Sequence, residues 1–322
     1  MRSVSYAQFG DPAQVLQLVE RDTPQPGPGQ VRVRLRLSPI HNHDLATIAG
    51  VYGVKPPLPA VPGTEAVGVV DALGEGVGNL RVGQRVMGGV SQAWAEFYLA
   101  DAARAIPVPD RVDDATAGQL ISMPLSAKML LADLDVTAGD WIIQNAANGA
   151  VGKLLNQFAG EAGVKVINLV RRNAGVTELA ALGIDNTVST EAADWREQVT
   201  SLTGGAPIVR GLDSIGGDGP EALLSVAAER AQIISFGNLS GRKIELSSDM
   251  LLFKQATVRG FWGARTNTKP ADIARMIGEL VTAASSGALK LPVEAVYGLD
   301  QAAQAAKASA EPGRKGKVAL RG

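Results

Sequence analysis

The sequence predicts an α/β protein in which a doubly wound parallel sheet is inserted into a barrel-like, β-rich domain. Three observations carry this. Residues up to about 115 form short strand-like runs broken by turn residues; from about 116 strand alternates with helix; and the tail "EPGRKGKVALRG" returns to strand. The expected division is 1–115 plus 290–322 for the β-rich domain and 116–289 for the inserted one. At 322 residues, the chain suits two domains sharing a cleft.

Each element follows from its local pattern. "MRSVSYAQFG" opens a first strand, and "TPQPGPGQ" is a turn leading into "VRVRLRLSPI", whose period of two marks one buried face. "GEGVGNLRVGQRV" joins two further short strands. Then come "WIIQNA", the helix "GAVGKLLNQFAGEAG", "KVINLVR", a helix near "TELAALG", "NTVST", a helix around "WREQVTSLTG", "IVRGLDSIG", the helix "PEALLSVAAER" and "AQIISFG". Such alternation specifies a mostly parallel sheet with helices on both faces. "VRGFW" adds a sixth strand and "ADIARMIGELVTAASSG" a long amphipathic helix.

Composition narrows the function. Lys and Arg total 31 against 32 Asp and Glu, so no long-range field draws in nucleic acid or an anionic membrane. The absence of cysteine excludes disulfides, thiolate metal ligands and a thiol nucleophile. No run approaches the roughly 20 apolar residues of a membrane span, and the N-terminus lacks the apolar centre of a signal peptide. The expected location is the cytoplasm.

The strongest local motif is "WIIQNAANGAVGKLL", an apolar strand running through small residues into a helix. Ala147, Gly149 and Gly152 follow the dinucleotide spacing G-x-G-x-x-G with alanine first. Gly149 lets backbone N–H groups approach a pyrophosphate, and Gly152 lets the helix pack on the strand with its N-terminus facing the phosphates. At the end of the next strand, where an NAD enzyme offers an acid, "KVINLVRRN" offers Arg171 and Arg172, which suit a 2'-phosphate and point to NADPH. Without a cofactor the two arginines read as solvated residues at a strand end.

Both histidines of the chain lie in "SPIHNHDLATIAGVYG". A catalytic zinc ion takes three protein ligands, and the candidates are His41, His43, Asp44 and Glu65. The alternative is that the histidines hydrogen-bond within a loop and line the cleft. On spacing alone, Tyr52 reads as a ring covering an apolar edge and Trp262 as core.

With these stretches in view, the chain resembles the medium-chain dehydrogenase/reductase superfamily: a GroES-like barrel domain, an inserted Rossmann domain and a C-terminal return. In that superfamily's zinc alcohol dehydrogenases the metal ligands fall where this chain has His41, Thr64 and Met123, only one of which has a side chain suited to zinc, so no zinc is expected. "SPIHNHDLATIAGVYGVKPPLPAVPGTEAVGVV" is similar instead to the zinc-free 2-enoyl thioester reductases, with Tyr52 in the place of their catalytic tyrosine. The similarity continues through "LDSIGG" and "SSDMLLFKQATVRGFW" and covers nearly the whole chain. It implies that Asn145, Asn148, Gly149, Ala150, Val151, Gly152, Arg171, Arg172, Gly237, Phe261, Trp262 and Lys317 hold the cofactor, and that His41, His43 and Trp262 line the substrate pocket. Two departures bear on the acceptor. "HNH" replaces an Asn-Pro-Ser run, and Lys128 stands where the family often has tyrosine.

The resemblance implies an NADPH-dependent, metal-free reductase. It would deliver hydride to the β-carbon of an α,β-unsaturated carbonyl compound, foremost an enoyl thioester of CoA or acyl carrier protein. A quinone oxidoreductase is the alternative, and a non-catalytic NADPH-binding protein a further one. Relatives pair sheet edges, so a homodimer through "AQIISFG" to "VRGFW" is expected, with neither nucleic acid nor membrane as partner.

Overall fold

The computed structural model describes residues Met1–Gly322. They form two compact units, Met1–Ser122 with Ile277–Gly322, and Met123–Met276. The boundaries fall inside helices Ser122–Asp133 and Pro270–Ser286 rather than at 115/116 and 289/290. Apolar periodicity runs unbroken through a helix and so does not register where one unit ends.

The first unit contains β1 (Arg2–Ser5), β2 (Gln17–Glu20), β3 (Gln30–Pro39), β4 (Glu65–Leu73), β5 (Arg85–Gly89), β6 (Phe97–Asp101) and β7 (Ile106–Pro107). The second contains β8 (Trp141–Gln144), β9 (Lys165–Val170), β10 (Thr187–Ser189), β11 (Ile208–Asp213), β12 (Gln232–Ser235) and β13 (Thr257–Gly260). The chain then returns to the first unit with β14 (Val293–Gly298) and β15 (Lys317–Arg321).

β3 organises the first unit. Val31, Val33, Leu35 and Leu37 are buried in the core, while Arg32 turns outward to Asp71 at 2.7 Å and over the Phe97 ring. One edge of β3 pairs antiparallel with β4, the other first with β6 and then, at Ser38 and Pro39, with β15. Beyond β3 the Ile40 N–H donates to the Val318 carbonyl at 2.9 Å. That bond lays the start of β15, and so Lys317, beside the chain entering the histidine stretch.

The second unit is one parallel sheet in the order β10-β9-β8-β11-β12-β13. Ile142, Ile143, Ile167, Leu169 and Ile233 are buried, as expected of parallel strands covered on both faces. Chain direction across the sheet reverses between β8 and β11. There the strand ends leave the crevice in which doubly wound sheets bind ligands. No helix is long and apolar enough to cross a membrane.

Candidate active site

In the first unit, β3 delivers His41 into the interior just before helix Asn42–Ile48. The His41 backbone N–H donates to Asp44 Oδ2 at 2.9 Å, which closes the first turn of the helix and fixes the Asp44 side chain. Glu65, the first residue of β4, is held from the opposite side: its Oε1 accepts from the Ile121 and Ser122 N–H groups at 2.6 and 3.0 Å. Its Oε2 lies 2.8 Å from His41 Nε2, and neither side chain is exposed. Burial drives the Glu65 carboxyl up to about 7, the backbone donors limiting the rise. Burial and the nearby Lys317 charge hold His41 well below the usual imidazole range, so it is neutral. Lys317, half-buried at the start of β15, is itself pushed down to about 8 by burial and by Arg314, with Asp44 and Glu65 opposing.

A second chain of bonds runs outward. Thr64 Oγ1 donates to Asp44 Oδ1 at 2.8 Å and lies 2.7 Å from His43 Nε2. The His43 ring stacks on that of His41, centroids 5.0 Å apart, and is tilted 5.9 Å from the Tyr52 ring. Tyr52 follows Gly50, which takes a left-handed turn (φ +76) where a Cβ would strike Phe9. The Tyr52 N–H donates to Ala46 O at 3.1 Å, so the loop is tied to the helix that carries the histidines. Beside Tyr52, Val51 and Val54 are strongly exposed. The first unit thus brings together His41, His43, Tyr52 and Lys317, although the sequence associates Lys317 with the cofactor residues.

These donors do not fit a zinc centre. No group of three or more His, Cys, Asp or Glu side chains is placed to hold a metal ion. The Nε2 atoms of both histidines, and both carboxylates, are engaged in the bonds described above.

In the second unit, β8 leads directly into Asn145, whose Nδ2 donates to Asp213 Oδ1 at 2.6 Å and whose Oδ1 accepts the Ser214 N–H. Asp213, fully buried at the end of β11, also accepts from Ser235 Oγ of β12 and the Gly216 N–H. One carboxylate therefore pins the ends of three neighbouring strands around the glycine loop. Its signal in the sequence is the acid that closes the apolar run "IVRGLD".

The loop fits a dinucleotide. Gly149 begins helix Ala150–Glu161 with no side-chain cap, and Asn148, Gly149 and Ala150 are exposed. A Cβ on Gly152 would stand 2.6 Å from the Ala147 carbonyl oxygen, and one on Gly237 2.8 Å from that of Ser214. Val151 follows Ala150 in the first helical turn. The left-handed residue of the turn is Ala146 (φ +48), one before the alanine that matches the motif. The Ala147 N–H donates to Leu169 O near the end of β9, and Arg171 and Arg172 follow it, exposed, at the C-terminal end of that strand. Phe261 and Trp262, half-buried after β13, line a cavity of about 300 Å³ with Arg259 and Arg265. Lys128 lies over the Phe158 ring, 4.8 Å from its centroid.

Comparison with known proteins agrees with this fold. Residues 27–110 match the alcohol dehydrogenase GroES-like domain and residues 150–282 the zinc-binding dehydrogenase family. A mitochondrial enoyl-[acyl-carrier-protein] reductase of Rattus norvegicus is 31% identical, covering 97% of this chain and 86% of its own. Among solved structures, Escherichia coli quinone oxidoreductase complexed with NADPH has a TM-score of 0.90 at 25% identity, with 100% of each chain covered. A quinone oxidoreductase of Pseudomonas syringae pv. tomato has a TM-score of 0.86 at 28% identity, covering 100% of this chain and 99% of its own. The chain belongs to the medium-chain dehydrogenase/reductase superfamily, as an oxidoreductase of its enoyl reductase and quinone oxidoreductase-like kind.

Proposed function

We propose that the protein is an NADPH-dependent, zinc-independent reductase that saturates the C=C bond of an α,β-unsaturated carbonyl compound, with a trans-2-enoyl thioester of CoA or acyl carrier protein as leading substrate. The observation that carries this is the Tyr52 ring beside His43, at the rim of a cluster whose polar groups do not fit a metal. Bound NADPH supplies the hydride. In this reading Arg171 and Arg172 would hold its 2'-phosphate, and the N–H groups at Ala150, Val151 and Gly152 would hold the pyrophosphate. Asn145, Asn148, Gly237, Phe261 and Trp262 shape the rest of the cofactor site. Negative charge then develops on the substrate's carbonyl oxygen and α-carbon. With no Lewis acid assigned, the Tyr52 hydroxyl donates to it. The exposed Val51 and Val54 offer apolar contact to an acyl chain. His41 and His43 border the acceptor, and Lys317 balances the buried carboxylates.

A quinone acceptor is the second reading, favoured by the solved structures of quinone oxidoreductases. β13 ends the parallel sheet with an open edge, which supports a homodimer formed by pairing that edge with a second copy. The cytoplasm is the compartment proposed, on composition. The test is an acceptor panel with NADPH: crotonyl-CoA and an enoyl carrier thioester against 1,4-benzoquinone and phenanthrenequinone. Higher kcat/KM for the thioesters supports the reading, whereas turnover of quinones alone would replace it with the second. A panel that leaves NADPH unoxidised throughout would point to a binding protein.

A further inference from the structure

The bond pattern around Thr64 determines which nitrogen of His43 can move a proton. Thr64 has a single hydroxyl hydrogen. Asp44 Oδ1, at 2.8 Å, is an acceptor in a carboxylate that also accepts the His41 N–H, so that hydrogen is committed to Asp44. Thr64 Oγ1 can then only accept from His43 Nε2 at 2.7 Å, and Nε2 carries a hydrogen in every charge state of the ring. The nitrogen left to gain and lose a proton is Nδ1.

The surroundings single out this ring. One face is covered by His41, which is neutral and bonded to Glu65, and Tyr52 lies tilted against it. The charged groups nearby are Asp44, 3.8 Å from Nε2, with Glu65 and Lys317 further into the cluster. Side chains of His41, Glu65 and Asp44 are 0–1% exposed, whereas that of His43 is 23% exposed. His43 alone of the two imidazoles meets both solvent and the Tyr52 ring.

We infer that His43 is the proton source of the reaction, returning through Nδ1 the proton that Tyr52 gives up, while Thr64 and Asp44 hold the ring in the tautomer this requires. This rests on the reading of Tyr52 given above. After hydride reaches the β-carbon, the Tyr52 O–H bond breaks, a C–H bond forms at the α-carbon, and a phenolate remains. The His43 Nδ1–H bond then breaks as the phenolic O–H is restored, leaving a neutral imidazole. Solvent, which reaches the partly exposed His43 side chain, reprotonates Nδ1. The nicotinamide is oxidised, the C=C bond is reduced, and one solvent proton is consumed per turnover. Asp44 acts through Thr64 by fixing the tautomer of the His43 ring, and both are positioning residues.

The test uses the full chain and the best acceptor of the panel. In His43→Gln the amide nitrogen can still donate to Thr64, but no second nitrogen titrates. Its kcat should fall by about tenfold or more, with a larger solvent isotope effect and an unchanged NADPH KM. His43→Ala should be rescued by imidazole in solution, and substituted imidazoles should rescue according to their basicity, which a packing defect would not show. With only two histidines in the chain, nitrogen-15 NMR reads the tautomer independently of turnover, His43→Gln assigning the signals. The neutral His43 ring should carry its hydrogen on Nε2, with Nδ1 bare. A fully active His43→Gln with an unchanged isotope effect would overturn the inference, as would a neutral ring with its hydrogen on Nδ1. Tyr52→Phe run alongside separates the two ideas. Loss in Tyr52→Phe with full activity in His43→Gln removes only the His43 role, and full activity in both removes the Tyr52 reading as well.

Discussion

His41 Nε2 lies 2.8 Å from Glu65 Oε2 in a setting where neither side chain meets solvent, so the pair cannot titrate as either residue does in water. The folded protein keeps the Glu65 proton up to about pH 7, whereas an unfolded chain releases it near 4.5. Between those values the native state binds more protons, and stability from this group falls as pH rises. His41 acts in the opposite sense below its ordinary range, because the native ring stays neutral. Glu65→Gln mimics the protonated acid: its oxygen accepts from Ile121 and Ser122, and its amide can donate to His41. The variant should exceed wild type in stability above pH 7 by on the order of 3 kcal/mol, the difference shrinking toward pH 4.5. Urea unfolding across that range checks this, and a difference independent of pH would contradict it.

Lys317 carries the complementary charge at a cost that alkali relieves. Its ammonium releases a proton near pH 8 in the fold and near 10.5 when unfolded, so this group's contribution to stability grows from 8 to 10.5 and is lost as pH falls through about 8. Lys317→Met removes the cost of burying the ammonium but leaves Asp44 and Glu65 without their cation. The stability difference from wild type should therefore shift by on the order of 1–3 kcal/mol between pH 8 and 10.5, in favour of wild type as pH rises. If the two proteins track each other over that interval, Lys317 is not the perturbed group.

Arg171 and Arg172 stand exposed beyond β9, where Leu169 is tied to the glycine loop through Ala147. Each well-placed charge-assisted bond to a 2'-phosphate contributes about 1.5–3 kcal/mol. Replacing both with alanine should weaken NADPH binding by at least about tenfold and leave NADH nearly unchanged, as read by titration calorimetry. Equal losses for both cofactors would show that the pair does not read the phosphate.

Purified protein should contain no stoichiometric zinc, because a catalytic ion needs three protein ligands and the polar groups around His41 are bonded to one another. Elemental analysis checks this. About one zinc per chain, with activity lost to a chelator, is the contrary result.

Much of the architecture was legible because it is written in local periods. The alternation in "VRVRLRL" gave the buried face of β3, and "NGAVG" gave the close approach of Gly152 to Ala147. What escaped were relations made by long-range pairing. Asp213 matters because β11 lies beside β8, bringing it to Asn145 across 68 residues, and no window of sequence contains both. Lys317 reaches the histidine cluster only because β15 pairs with the end of β3. Thr64 was read as a missing metal ligand, yet its hydroxyl joins His43 to Asp44. A residue's type shows what it can donate, and only the fold shows to whom.

Tyr52 should belong to the chemistry and not merely to the wall beside it. Its loop is anchored by Gly50 and by the bond to Ala46, which fixes the ring near His43 whether or not the hydroxyl has work to do. Tyr52→Phe keeps that ring and removes one oxygen, so packing and fold should survive. Hydride arriving at the β-carbon leaves charge on the carbonyl oxygen and α-carbon that was absent in the substrate. A phenol donor at ~2.7 Å therefore favours the transition state over the ground state. Loss of such a donor that also protonates should lower kcat by ~10²–10⁴, with NADPH affinity and Tm near wild type. A water occupying the vacated position would bring the loss toward the lower end, since it can donate but is less well oriented. Steady-state kinetics with crotonyl-CoA decides the matter. An unchanged kcat in the Phe variant would remove Tyr52 from the mechanism and favour the quinone reading, because a quinone accepting hydride becomes a stabilised aromatic anion with less need of a positioned acid.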